Sequence, residues 1–223
     1  MHPSKSTKRR NKEEVPKEAI PLRPVSIDFW GPYRKGRANE LYYFGITDSA
    51  TGFSWVHILG DRQTETVQTT LEQWRVKCER EFGKRVVRIR ADNAREFHAL
   101  KPWAAERGIQ FDFIEPCYHW QNGIAERLNR TTLDIGRAIM FEMNIPKKYW
   151  RYGVRFANFI KNRTVFRKGE RKSPYERLHK KEWDISRFRV PFCKVRYQVE
   201  TDDKLDPRAH EGTFVTLRAR AST

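Results

Sequence analysis

The chain has 223 residues, 38% of them hydrophobic, with 45 Lys or Arg against 28 Asp or Glu. That length suits one sizeable domain with extensions, and the basic excess points to a polyanionic partner, nucleic acid before membrane. No apolar run approaches the ~18 residues that span a bilayer, no signal peptide opens the chain, and Cys78, Cys117 and Cys193 are too scattered for a disulfide framework or a zinc site, so a soluble, intracellular protein without zinc is expected.

Residues 1–24 are charged and punctuated by Pro16, Pro21 and Pro24, which reads as a flexible basic tail. Within it "KSTKRRNK" is either a solvated tail or a nuclear import signal, and the nucleus is the expected compartment. "PVSIDFWGP" reads as a strand closed by Gly31-Pro32. "ELYYFGITDSATGFSWVHILG" reads as a hairpin turning at "DSATG". Val67, Leu71, Trp74, Cys78 and Phe82 then recur at helical spacing, with Gly83 as the stop. "RVVRIRADN" is the next strand, "REFHALKPWAAERG" a helix interrupted by Pro102, and "IQFDFIEP" a strand ended by Pro116. A long helix is bounded by Asn122-Gly123 and Pro146, and another covers roughly residues 147–163. Late strand-like runs lie near 193–199 and 213–217. Three successive strands followed by alternating elements predict a mixed α/β sheet, antiparallel first and parallel afterwards, with helices on both faces.

Three carboxylates stand out. Asp28 lies inside an otherwise apolar strand, where an ionisable group is costly unless paired or bound to metal. Asp92 ends the fourth strand, where it is equally at home as a turn residue. Glu126 sits in the first turn of the long helix, a position a solvated glutamate often takes beside the macrodipole. Ile124, Leu128, Ile135 and Ile139 form the stripe expected to face the sheet, so Glu126 points away from it, on the side of Arg130, Leu133 and Arg137. Taken together, three such acids suit Mg²⁺ or Mn²⁺ in a two-metal site for phosphoryl transfer.

"SIDFWGP", "ADNAREF" and "QNGIAERLNRTT", in that order, resemble the signature blocks of the integrase core of copia-type retrotransposon Pol polyproteins, members of the ribonuclease H-like superfamily with retroviral integrases. The downstream "SPYERL", "RFRVPFCKVRYQV" and "KLDPRAHEGTFV" resemble the segment that follows that core. The resemblance implies a ribonuclease H-like five-stranded fold, with a catalytic core over 25–165 and a basic linker and C-terminal extension over 166–223. It implies an Asp28, Asp92 and Glu126 triad that is both catalytic and metal-binding. Asn93, Gln121, Asn122 and Gly123 match neighbours that contact DNA, Glu96 matches a structural glutamate, and Asp48 matches an acidic position after the second strand. The implied activity is 3′-end processing and strand transfer by a homo-oligomer. Two departures stand out: 33 residues separate Asp92 from Glu126, two fewer than the family's usual spacing, and Ala94 and Arg95 replace glycines.

From Arg127 to Lys181 sixteen Lys or Arg face four acids, a concentration that fits salt-sensitive phosphate contacts. Arg127, Arg130 and Arg137 are the expected nucleic-acid-binding arginines, with DNA as partner and RNA as a second form. The competing expectation is an inactive nucleic-acid-binding remnant held by its basic surface alone.

Overall fold

A computed structural model describes residues 20–33, 39–114, 119–166, 169–199, 205 and 208–215, with the side chains of 119–125 outside that description. Val25–Trp30 forms β1 and lies at the centre of the sheet. On one side it pairs antiparallel with β2, Tyr42–Asp48, which turns back into β3, Ser54–Leu59. On the other it runs parallel to β4, Arg88–Ala91, itself parallel to β5, Gln110–Phe113. The order β3-β2-β1-β4-β5 is the mixed five-stranded sheet expected from the element order.

The helices are α1 Thr64–Phe82, α2 Arg95–His98, α3 Lys101–Glu106, α4 His119–Glu142, α5 Trp150–Thr164 and α6 Pro174–His179. Successive strand side chains point to opposite faces, and the register Ile27↔Ile46, Asp28↔Gly45, Phe29↔Phe44, Trp30↔Tyr43 sorts them. Ile27, Phe44 and Ile46 join Val67, Leu71, Trp74 and Cys78 of α1 in the main apolar core. Tyr43 lies on the opposite face with Trp150 and Val154 of α5, and Trp30, Leu133 and Met140 pack against them. Asp28, alternating with Ile27 and Phe29, is thereby turned toward α4. α1 ends as expected, with Gly83 at φ +61 donating its N–H to the Glu79 carbonyl.

Several expectations are corrected. The interrupted helix at Pro102 is two separate helices, α2 and α3, with Pro102 opening the second. α4 begins at His119, ahead of Asn122-Gly123, so Glu126 is about two turns inside the helix, beyond the first-turn reach of the macrodipole. Among the described side chains of α4 the buried positions are Asn129, Thr132 and Gly136, with Leu133 and Met140 beside them, not the isoleucine stripe. Leu128, Ile135 and Ile139 are only half-buried, and the Ile124 side chain lies outside the described residues. Polar pairing and backbone proximity choose this face: Asn129 bonds Asp28 and Tyr43, and a Cβ on Gly136 would stand 3.3 Å from the Gly153 backbone of α5.

The C-terminal strands are β6, Lys194–Gln198, and β7, Ala209–Thr213, paired antiparallel in a second sheet. β7 lies ahead of the expected 213–217, because "AHEGT" is an exposed strand with no apolar alternation to mark it. Leu22, inside the segment expected to be tail, is fully buried, and its N–H donates to Asp48; residues 1–19 lie outside the described residues.

Candidate active site

Asp28 is held at both oxygens. Its Oδ1 accepts the Phe29 N–H at 2.8 Å, and its Oδ2 accepts Asn129 Nδ2 at 2.7 Å. Asn129 in turn accepts the Tyr43 hydroxyl at 2.8 Å on its Oδ1. That bond fixes the orientation of the amide, so its NH₂ is the end presented to the aspartate. Gly45, opposite Asp28 in the register, makes room: a Cβ there would be 2.9 Å from the Tyr43 hydroxyl and 3.0 Å from Asn129 Oδ1. Burial also pushes the Tyr43 hydroxyl's pKa up, and the Asp28 charge adds to this.

Asp28, Glu126 and Asn129 line one cavity of about 300 Å³ with Arg130, Leu133 and Arg137. Burial, then the nearby charge of Asp92, then more weakly that of Glu126, raise the Asp28 carboxyl to about 6. Asp28 thus feels the charge of both other expected acids, although Asp92 lies outside the cavity lining. Like charges so placed favour a proton or a cation, and a set of hard oxygen donors suits Mg²⁺ or Mn²⁺. Among the described residues, however, no group of three His, Cys, Asp or Glu is gathered closely enough to hold an ion. Asp92 also accepts the Ala94 N–H at 3.1 Å.

The remaining expected residues divide. Arg130 and Arg137 reach the acidic cavity, and Arg137 also pairs with Asp134 at 3.0 Å. Arg127 is exposed and outside the cavity lining. Asn93 is exposed and bonds His98, whose ring stacks on Phe113 at 4.0 Å. The side chains of Gln121, Asn122 and Gly123 lie outside the described residues. Glu96 pairs with Arg62, which lies over the Phe29 ring, tying α2 to the strand that carries Asp28. Asp48 is fully buried and spends its oxygens on the Leu22 N–H and on Thr51, so it organises the hairpin turn. Tyr43 and Gly45 are what the sequence reading missed. Their only signal is the strand register, since neither is adjacent in sequence to an acid. Asn129 lay unremarked inside "AERLNR", three residues after Glu126 and so one helical turn from it.

No protein-family model matches the chain. It is 27% identical over 190 residues, 82% of its length, to the retrovirus-related Pol polyprotein from transposon RE1 of Arabidopsis thaliana. The chain is a homologue of retrovirus-related Pol polyproteins. It spans 13% of that relative's length. Among solved structures it resembles the HTLV-2 integrase catalytic core domain in complex with magnesium, with a TM-score of 0.53, 17% identity, and coverage of 72% of this chain and 98% of that one. It also resembles a chain of the simian T-cell lymphotropic virus intasome in complex with PP2A regulatory subunit B56 gamma, with a TM-score of 0.57, 15% identity, and coverage of 87% and 68%. The fold is thus the ribonuclease H-like α/β fold of integrase catalytic cores, and an integrase core fragment of a Pol polyprotein fits both comparisons.

Proposed function

We propose that the chain is the catalytic core of a retroelement integrase, a divalent-metal-dependent polynucleotidyl transferase acting through Asp28, Asp92 and Glu126. The single observation that carries this reading is the Asp28 carboxyl, turned toward α4, sharing a cavity with Glu126 and raised to about 6 by burial and by Asp92. Bound Mg²⁺ or Mn²⁺ would neutralise developing charge on the phosphoryl oxygens. Asn129 orients Asp28, the carboxylates hold the cations, and Arg130 and Arg137 hold phosphates. In 3′-end processing a water oxygen attacks phosphorus and the P–O3′ bond breaks, leaving a free 3′-OH. In strand transfer that hydroxyl attacks a target phosphodiester, forming one P–O bond as another breaks and releasing the target's own 3′-OH. The proposed core runs over 25–165 and the proposed basic linker and C-terminal extension over 166–223, with assembly as a homo-oligomer and action in the nucleus. Among the described residues no helix is long and apolar enough to cross a membrane.

The second reading, an inactive nucleic-acid-binding remnant, is supported by the basic surface alone, sixteen Lys or Arg against four acids from Arg127 to Lys181. A strand-transfer assay on an oligonucleotide duplex decides between them. The enzyme reading expects joining in Mn²⁺ that Glu126→Gln reduces to background, while salt-dependent duplex binding persists. Duplex binding without cleavage or joining in either metal gives the remnant reading.

A further inference from the structure

Next to the acidic cavity lies a larger one of about 610 Å³, within the range of small-molecule sites. Trp30, Leu133 and Arg137 line both, so the two share a wall at the end of β1, two residues beyond Asp28. Their chemistry differs. No acid lines the larger cavity; its charged residues are Arg137 and Lys147. Three of its walls are aromatic and mutually packed, with the Trp30, Tyr33 and Trp150 ring centroids 5.2 to 5.8 Å apart. Trp30 and Tyr33 are the rings with surface open to the cavity, while Trp150 is buried behind them.

Aromatic faces and two cations beside a phosphoryl-transfer site match one ligand class. We propose that this cavity is a nucleobase pocket, which takes one unpaired base at the end of a DNA strand while Arg137 and Lys147 hold the adjoining phosphates. A base supplies a π-face for the rings. The anionic backbone matches the two cations, which an apolar peptide would leave unanswered. The proposal rests on the polynucleotidyl transferase reading and adds a preference for frayed or overhanging ends over blunt ones.

The test uses the full 223-residue chain and 2-aminopurine as the terminal base, first in a short single strand and then as the overhang of a duplex. Base stacking on aromatic side chains is worth enough to expect about a tenfold tighter overhang duplex than blunt duplex. Stacking also quenches the probe's fluorescence. Tyr33→Ala should abolish the quench and bring the preference close to one, whereas Tyr33→Phe, which keeps the ring, should retain both. An unquenched single strand overturns the pocket, as does a preference that survives Tyr33→Ala. Joining in Mn²⁺ without any quench removes the pocket and leaves the enzyme. A quench without cleavage or joining upholds the pocket and removes the enzyme reading.

Discussion

The two faces of the central sheet are built from alternate residues of the same strands and differ in kind. Toward α1, Phe29 stacks on Phe44 at 4.6 Å and on Phe97 at 5.4 Å, within a dry apolar core. Toward α4 and α5 the sheet meets buried polar groups set beside a smaller cluster around Tyr43, Trp150 and Val154. Asp28, Asn129 and Tyr43 form one chain of bonds. Further along, Lys161 donates to Ser54 at 2.5 Å, while Asn158 and Asn162 donate to the Ser54 carbonyl. Lys161 is fully buried, and burial lowers its pKa to about 7. One face supplies stability through apolar burial. The other holds desolvated polar groups, which cost stability unless paired, and it carries the candidate chemistry.

Mutations should therefore separate the faces. The largest stability effect belongs to the dry side: Leu71→Ala should cost about 2–5 kcal/mol and lower Tm by roughly 5–15 °C. Duplex affinity measured below the transition should stay unchanged. A loss of affinity at full folding would show the two faces to be coupled.

The next effect is on the polar side and depends on pH. The Asp28 carboxyl binds its proton more tightly in the folded state, about 6 against 3.8. Its contribution is therefore full below pH 3.8 and is lost as pH rises toward 6. The shift corresponds to at most ~3 kcal/mol, and partial solvent contact reduces that to about 1–2 kcal/mol. Asp28→Asn should flatten this part of the pH profile and abolish joining, with little change in Tm at pH 7.5, because an amide can accept only one of the two N–H bonds that the carboxylate accepts. Mn²⁺ should raise Tm at pH 7.5 in the unmodified chain but not in Asp28→Asn, as differential scanning calorimetry can check.

The smallest effect sharpens the comparison within the polar side. Tyr43→Phe keeps the buried ring and removes the bond to Asn129, so about 1 kcal/mol of stability should go. The Asn129 amide then loses its fixed orientation, and a fall of a few-fold in joining rate is expected with duplex affinity unchanged. Equal falls in both would mean that the hydroxyl only supports packing.

The dry face was legible in the sequence and the polar face was not. Val67, Leu71, Trp74 and Cys78 repeat at helical spacing, and all four are buried. α4 misled because hydrophobic periodicity assumes that apolar residues choose the buried face, whereas Asn129 and Thr132 are buried there by their partners across the helix–sheet gap. Asp28 betrayed itself as a charge in an apolar strand, but Tyr43 and Gly45 become its neighbours only through the β1–β2 register. β7 was misplaced because an exposed strand lacks alternation. The Ser173–Glu176 capping box of α6, by contrast, was readable as Ser-x-x-Glu in "SPYE" and passed over.

Gly136 and Gly153 bring the α4 and α5 backbones together, with the Met140 side chain packed against Gly153. Glu126 sits ten residues up the same rod, a lever arm of roughly 15 Å at 1.5 Å per residue. A single methyl introduced at that fulcrum would swing the far end, so the spacing of acids across the sheet can be retuned by substitutions that never touch an acid.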